Sequence, residues 1–160
     1  MITYRLAEKE DFEEFYRIKC DRLNIEYSGF TECPNRDHLS KWFSEQLHSH
    51  YRKIYLVLDS QIVCAFFYLD KINDITYEFS ASGVLSQYRG KGIGAYTVEA
   101  RLDIAASLGA TTCISWISEE NIASYKRFMN AGFVRTDEYE MRNLPLLGGL
   151  HKFYKWIKEI

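Results

Sequence analysis

The sequence predicts one domain of the mixed α/β class. Apolar residues recur at helical spacing in several segments, and runs rich in Val, Ile, Phe and Tyr between turn residues predict strands between those segments. The chain has 160 residues, of which 47% are hydrophobic, and this is enough to bury a continuous core. No linker or repeat divides the chain, so residues 1–160 are expected to form a single domain.

The N-terminal third is expected to contain one strand and two helices. Residues 2–6 are predicted to form the strand, and Asp11 followed by Glu14 resembles a capping box at the start of the first helix. The second helix follows Asp37, and residues 24–36 are expected to form a loop between the two. Apolar side chains share one side of each helix, namely Phe12, Phe15, Tyr16 and Leu23 in the first and Leu39, Trp42, Phe43 and Leu47 in the second.

Strands follow in the middle of the chain. Residues 54–58 and 61–69 are predicted to form a hairpin around a turn at Asp59 and Ser60, and residues 75–84 extend the sheet. The last part of this third strand contains only small residues before Val84, namely Ser80, Ala81, Ser82 and Gly83. Small residues permit a bulge or the close approach of another extended group, and a weak strand end is the alternative interpretation.

Helices and strands alternate again in the second half. A helix is predicted to start at Ile93 and to stop at Gly109, and residues 111–117 are predicted to form a buried strand. Glu99 and Asp103 are expected on the exposed side of the helix, opposite an apolar stripe formed by Ile93, Ala100, Ile104 and Leu108. A further helix and an antiparallel strand pair complete the order, at residues 121–130, 133–141 and 151–157.

Composition excludes several classes of function. The formal net charge is −2 with both signs interspersed, whereas a nucleic-acid surface needs a basic stripe. No apolar run approaches the roughly 18 residues of a membrane span, and the first residues lack the features of a signal peptide, so a cytoplasmic protein without membrane contact is expected. Four cysteines without a CxxC pair indicate neither zinc nor a redox motif and are expected to be buried, reduced thiols: Cys20, Cys33, Cys64 and Cys113. No metal is expected, since His48 and His50 point apart and are predicted to lie on the surface.

An anion site is predicted where the sequence reads VLSQYRGKGIG, from residue 84 to residue 94, immediately before a helix. The first amides of a helix lack carbonyl partners and carry a partial positive charge, so a phosphate is a natural occupant. Close backbone approach and additional positive charge come from Gly90, Gly92, Gly94, Arg89 and Lys91. A solvated turn is the alternative interpretation for such a short pattern.

Two common phosphate loops do not match this turn. The dinucleotide fingerprint GxGxxG fails because Thr97 stands where its last glycine belongs, and no Gly-Lys-Ser/Thr sequence of a Walker motif occurs. The acidic residue that would bind a ribose is also missing, since residues 109–112 are apolar or hydroxylic. An NAD(P)-binding protein is therefore disfavoured.

The glycine turn and a later helix together resemble the two central motifs of the GNAT superfamily of acetyl-CoA-dependent N-acetyltransferases. The first motif, Gln/Arg-x-x-Gly-x-Gly/Ala, can be read from Gln87 or from Arg89. The second motif corresponds to Asn121, Ser124, Phe128, Gly132 and Phe133. Two motifs in the right order are more specific than either one alone. The resemblance implies a central mixed, mostly antiparallel sheet flanked by about four helices.

The resemblance also implies a cosubstrate, acetyl-CoA, and its binding residues. The main chain near Val84 and Leu85 would hydrogen-bond the pantetheine arm as an added strand. One face of the second helix would meet the coenzyme through Asn121, Ser124 and Phe128, although Asn121 also suits a helix cap. The pyrophosphate would lie on the amides of Arg89, Gly90, Lys91, Gly92, Ile93 and Gly94.

Catalytic candidates follow from the chemistry of acetyl transfer. Relatives often carry a tyrosine at position 128 that protonates the departing thiolate, and Phe128 has no proton to give. Tyr125 lies one turn earlier and is the candidate acid, with core packing beside Ile122 and Met129 as the alternative. The attacking amine must lose a proton, and Glu78 on the strand before the glycine turn is the candidate base, with an exposed surface glutamate as the alternative.

The function expected from this resemblance is transfer of an acetyl group from acetyl-CoA to a primary amine by direct attack in a ternary complex. A non-catalytic acyl-CoA binding or sensing domain is the alternative, because Phe128 removes the usual acid. The acceptor is a small-molecule or peptide amine, and Tyr27 and Phe30 on the predicted loop are candidates to line its pocket. An exposed closing strand or this aromatic loop offers a surface for a homodimer.

Overall fold

The computed structural model describes residues 1–160. Eight strands and five α-helices alternate along the chain. The strands are β1 (Ile2–Leu6), β2 (Arg52–Asp59), β3 (Ile62–Lys71), β4 (Thr76–Glu78), β5 (Ser82–Val84), β6 (Thr112–Ser118), β7 (Val134–Leu144) and β8 (Gly149–Glu159). The helices are α1 (Phe12–Lys19), α2 (Arg22–Glu26), α3 (Arg36–Gln46), α4 (Ile93–Ser107) and α5 (Ile122–Asn130).

All strands belong to one sheet, in the order β1-β2-β3-β4-β6-β8-β7, with β5 paired to β3. The β4–β6 pair is parallel and the other pairs are antiparallel. A parallel pair needs a crossover, and α4 supplies it between β4 and β6. The predicted mixed, mostly antiparallel sheet is confirmed, with five helices in place of about four.

Two apolar clusters cover the two faces of the sheet. The larger cluster contains buried residues of α4 and α5, such as Val98 and Phe128, packed on strand residues such as Phe67. The second cluster contains Phe15 of α1 and Phe43 of α3. Each face of the sheet is therefore closed by helices, as expected for this class.

The predicted third strand, residues 75–84, is divided into two. Phe79 N–H donates to Ile114 O of β6 (2.8 Å), whereas Ala81 O accepts from Tyr68 N–H of β3 (2.8 Å). β4 pairs with both β3 and β6, so the chain loses β6 as a partner between Phe79 and Ala81, and beyond this point β5 pairs with β3 alone. The expectation that small residues permit an irregularity here is confirmed. We call residues 79–81 the fork.

The first helix differs from the prediction in two respects. The capping box is formed by Glu8 and Asp11, and the Asp11 side chain caps no helix amide of α1. Asp11 instead accepts two hydrogen bonds from Arg5 (2.8 and 2.9 Å) and one from Glu8 N–H (2.7 Å). Leu23 is not part of this helix, because the chain turns at Asp21 into α2, and Leu23 is 42% exposed.

Other differences concern the ends of elements. The predicted loop of residues 24–36 begins inside α2, whose N-cap is Asp21. Leu108, placed on the apolar stripe of α4, is 53% exposed because the helix ends before it and Gly109 turns the chain with φ of +88°. The predicted stop at Gly109 is confirmed.

The cysteine prediction is wrong for one pair. Cys20 and Cys33 form a disulfide across a separation of 13 residues, with their Cα atoms 4.7 Å apart. This bond joins the end of α1 to the loop before α3. Cys64 and Cys113 are free and buried, as expected.

Candidate active site

A central cavity of about 550 Å³ opens where β5 and β6 separate beyond the fork. Because β5 hydrogen-bonds to β3 alone, its other edge is left without a strand partner. Most of the lining comes from four parts of the chain: the fork and β5, the end of β6, α5, and the α1–α2 region. Single residues are added by other elements, namely Phe66, Arg89, Arg101, Arg142 and Phe153. An extended ligand can lie against such an edge as an additional strand.

The glycine turn lies at the start of α4. Gly92 is the N-cap residue, with φ of 80°, a left-handed conformation that glycine adopts at little cost. Tyr96 N–H donates to Gly92 O (3.0 Å) as the first helical hydrogen bond. The preceding amides, from residue 93 to residue 95, have no helical carbonyl partner and are available for an anion.

Gly94 gives space to an arginine of α5. A Cβ at this position would collide with the guanidinium of Arg127, which lines the central cavity. Burial lowers the pKa of Arg127, and the nearby charge of Arg89 lowers it further. The guanidinium therefore lies beside the helix start, and two arginines and the helix dipole together create a positive site.

Two orphaned polar atoms indicate that the cavity suits a polar, anionic ligand. Ser80 Oγ and Arg127 Nε are buried and have no hydrogen-bond partner within the chain. Both residues line the central cavity. Buried polar groups are almost always hydrogen-bonded, so a ligand with phosphate and amide groups, such as a CoA ester, fits this lining.

The α1–α2 turn is fixed to the loop after β5. Asp21 accepts hydrogen bonds from Ser86 N–H (2.9 Å) and Ser86 Oγ (2.7 Å). Asn24 accepts from Arg89 Nη2 (2.8 Å), and its own side-chain nitrogen donates to Val84 O (3.3 Å). These contacts connect the two walls of the cavity. Asn24 was not predicted as a site residue, because its role depends on a partner 65 positions away.

The predicted face of α5 does line the cavity through Asn121, Ser124 and Phe128. Asn121 Oδ1 accepts from Ser124 N–H (3.3 Å), so Asn121 is also the cap of the helix. The Phe128 ring is only 4% exposed and packs edge-on against Phe133 with their centroids 5.0 Å apart. Asn121 therefore caps the helix and also lines the cavity, and its contact with a coenzyme stays a prediction.

Tyr125 occupies a different position from its neighbours on α5. Its ring stacks on Trp156, with centroids 6.0 Å apart and an interplanar angle of 10°. It packs against the larger apolar cluster and is not among the residues that line the cavity. This contact corresponds to the packing alternative.

The predicted strand and loop residues divide into two groups. Val84 and Arg89 line the cavity, whereas residues 90–94 are not part of its lining. Residues 90–92 are exposed and Ile93 is buried in the larger apolar cluster. The Leu85 amide already donates to Cys64 O (2.9 Å), and its side chain belongs to the second apolar cluster. The Leu85 amide is therefore not available to a ligand, and the unpaired edge of β5 ends at Val84.

Glu78 lies at the end of β4, on the sheet face opposite its buried neighbours Tyr77 and Phe79. It is half-buried, and burial raises the pKa of its carboxyl, as does the charge of Asp70, its cross-strand partner. The Glu78 carboxylate accepts no hydrogen bond from the chain. Glu78 is not among the residues that line the central cavity, so its role as a base stays a prediction.

Arg101 is a cavity residue that the sequence did not single out. It is 1% exposed and lies on α4 with its guanidinium against the fork, where Nη1 donates to Ala81 O (3.4 Å). Burial lowers its pKa to about 9, with a further contribution from Arg127. The sequence contained one signal for this residue. Arg101 is a single charged residue on the face of α4 that is otherwise buried, four positions after Thr97 and three before Ile104.

A side cavity of about 580 Å³ lies against the central one, and Lys19 lines both. Phe30 and Trp42 line the side cavity, whereas Tyr27 lines the central cavity and Phe43 belongs to the core. The disulfide residue Cys33 forms part of the same wall. Tyr27 and Phe30 were predicted to line an acceptor pocket, and each of them lines one of the two cavities.

No group of His, Cys, Asp and Glu side chains is arranged to hold a metal ion. None of the helices combines the length and the apolar composition that are needed to span a bilayer.

A model of the Acetyltransferase (GNAT) family matches residues 10–133 of the chain. The match covers both motifs, the fork and all four main parts of the cavity lining. The chain therefore belongs to the GNAT acetyltransferase family. No curated protein gives a significant sequence match.

Solved GNAT structures share the whole fold. A spermidine N-acetyltransferase from Vibrio cholerae, solved with CoA and spermine, has a TM-score of 0.86 over 99% of this chain and 95% of its own, at 18% identity. A phosphinothricin acetyltransferase from Sinorhizobium meliloti, solved with AcCoA, has a TM-score of 0.80 over 99% of this chain and 88% of its own, at 17% identity. The likeness extends from β1 to β8, including the first 70 residues.

Lys19 is expected to titrate near neutral pH. Burial lowers its pKa to about 8, and the charge of Arg52 contributes, whereas an ordinary lysine titrates near 10.4. Reductive methylation with ¹³C-formaldehyde followed by an NMR pH titration measures this value. The Lys19→Arg variant identifies the resonance by its disappearance. A Lys19 resonance that titrates with the bulk of the lysines would contradict the burial described here.

Proposed function

We propose that the protein is an N-acetyltransferase that moves an acetyl group from acetyl-CoA to a primary amine by direct attack in a ternary complex. The observation that carries the proposal is the fork. It frees one edge of β5, which packs against α4, and the start of α4 has unpaired amides with Arg89 and Arg127 nearby. Membership of the GNAT family supports the same class of reaction.

The residues proposed to bind the coenzyme are those of the two motifs, together with further residues that line the central cavity. Backbone amides from residue 90 to residue 94 would bind the pyrophosphate, with Arg89 and Arg127 as counter-charges. The free edge near Val84 would bind the pantetheine amides. Asn121 and Ser124 would contact the arm from α5.

Glu78 is the proposed base. An ammonium has no lone pair for attack on a thioester, so the amine must lose a proton before or during the attack. The half-buried Glu78 carboxylate has a raised pKa and no hydrogen bond to the chain. Glu78 itself is not among the residues that line the central cavity, but the charge of Arg142, which does line it, lowers that pKa in part.

The acceptor is proposed to be a small-molecule or peptide amine. The solved relatives are named for two unlike amines, spermidine and phosphinothricin. The side cavity next to Lys19 provides room for the part of the acceptor beyond its amine. A sensing domain is the second candidate function, favoured by the single observation that Phe128 cannot donate a proton.

The function is tested by binding and turnover. We expect isothermal titration calorimetry to show micromolar or tighter binding of acetyl-CoA and none of NADH. Thiol release across a panel of primary amines, followed with a thiol reagent, is expected to show turnover above the hydrolysis background. Binding without turnover on any amine would favour the sensing domain, and absence of acetyl-CoA binding would reject the proposal.

Glu78→Gln is expected to lower kcat/KM about 10²–10⁴-fold, the usual contribution of a positioned base. The wild-type rate should rise with pH as Glu78 loses its proton, through a pKa above the ordinary carboxyl value. The loss should be largest at low pH, because the unprotonated amine is abundant only at high pH. Steady-state pH profiles measure both effects. Glu99→Gln, on the exposed side of α4, is the matched control, and identical profiles for the two variants would eliminate Glu78 as the base.

Tyr125→Phe tests the predicted acid. The substitution keeps the ring that stacks on Trp156 and removes only the hydroxyl. An acid role requires a decrease in kcat of about 10²–10⁴, whereas a packing role requires none. The stacked position outside the cavity favours the packing role, so we expect turnover to remain unchanged across pH. A large decrease with an unchanged melting temperature would restore Tyr125 to the mechanism.

A further inference from the structure

Arg101 brings a positive charge into the interior without a carboxylate partner. Its side chain is 1% exposed. The charged groups near it are Arg127 of α5, which repels it, and Asp70 of β3, whose carboxylate is already bound by Arg52 through two hydrogen bonds of 2.8 Å. A buried charge without a counter-ion is costly for the folded state, so its presence calls for a compensating ligand.

Few protein groups satisfy this guanidinium. Nε donates to Thr97 O (3.1 Å) within α4, and Nη1 donates to Ala81 O (3.4 Å) at the fork. The remaining neighbours are aromatic rings, whose centroids lie 4.8, 5.6 and 5.7 Å from Cζ in Phe79, Phe67 and Phe128. Aromatic faces stabilise a cation but leave its N–H donors unused. Those donors are available to an anion in the central cavity, which Arg101 lines.

The position of Arg101 indicates which anion this is. The phosphate end of the cavity is served by Arg89, Arg127 and the start of α4. Arg101 lies instead two turns further along α4, with its guanidinium against the Ala81 carbonyl of the fork and the Phe128 ring. With the pyrophosphate at the start of α4 and the pantetheine arm along the open edge of β5, as proposed above, the thioester reaches the fork. The negative charge that develops at this end of the cavity during acetyl transfer is the charge on sulfur.

We propose that Arg101 stabilises the CoA thiolate as it leaves, so that electrostatics replaces the proton transfer that Phe128 cannot perform. This inference rests on the proposed function. The amine nitrogen forms a bond to the carbonyl carbon, the carbon–sulfur bond breaks with its electron pair on sulfur, and the amine proton passes to Glu78 or water. The guanidinium offsets the resulting thiolate charge, and the thiolate takes a proton from solvent after release.

The thiol of bound CoA reports this effect without turnover. A cation within a few ångströms lowers the pKa of a thiol, and a free thiol titrates near 8.5. The ultraviolet absorbance of the thiolate, recorded against the complex with desulfo-CoA, gives the pKa of the bound thiol. We expect a value at least about one unit below that of free CoA in the wild type, a tenfold or greater gain in thiolate at neutral pH.

Arg101→Met is expected to remove this gain and to return the bound thiol to the value of free CoA or above. Arg101→Lys keeps the charge and should retain most of the gain. Arg127→Met is the matched control at the phosphate end, expected to weaken CoA binding while leaving the thiol pKa at the wild-type value. The ligand-free Arg101→Met protein should melt at or above the wild-type temperature, since an unpaired buried charge has been removed.

Two results would overturn the inference. The first is a wild-type complex in which the bound thiol titrates at or above free CoA, which needs no variant. The second is an Arg101→Met complex whose thiol titrates as in the wild type. Failure of the wild type to bind CoA would instead reject the proposed function, so the two failures are distinguishable.

Discussion

The site depends on one change of strand pairing at the fork, where the chain keeps β3 as a partner and loses β6. Phe79 still bonds to β6, and two residues later Ala81 bonds to β3. A continuous strand here would pair with β6 along its whole length, and the central cavity would be filled by backbone. The two carbonyls at the ends of the fork are held by side chains: Ser115 Oγ donates to Phe79 O, and Arg101 Nη1 donates to Ala81 O. The open edge is thus a fixed feature of the sheet.

Local features of the site were predictable from sequence, because each is determined by residues close together in the chain. The glycine turn, the start of α4 and the face of α5 follow from spacing within about a dozen residues. The small residues at positions 80–83 indicated an irregularity in the strand where the fork lies. The disulfide, the short helix α2 and the contacts of Asn24 were missed, since they require partners from distant elements. Arg101 was missed because a charged residue is not expected on the buried face of a helix. Only the structure shows the three aromatic rings that stabilise its charge there.

The charge of the cavity also differs from the charge of the chain. The formal net charge is −2, yet the cavity lining concentrates Arg89, Arg101 and Arg127. Burial lowers the pKa values of Arg101 and Arg127, and repulsion between the cations lowers them further. Such repulsion opposes folding and is relieved by an anionic ligand. Whole-chain charge is therefore a poor guide to the ligand, and a CoA ester with its phosphates and leaving sulfur suits all three positions.

Hydrogen bonds connect two walls of the cavity, the α1–α2 turn and the segment that leads from β5 to the glycine turn. Asp21 binds Ser86, and Asn24 bridges Val84 and Arg89, so the α1–α2 turn and the glycine turn cannot separate without losing several hydrogen bonds. Direct attack within a ternary complex gains most of its rate from holding two reactants at a fixed separation. The α1–α2 side carries Lys19 and the entrance to the side cavity, while the other side carries the helix start. The proposed reaction would require such a rigid connection between the α1–α2 turn and the start of α4.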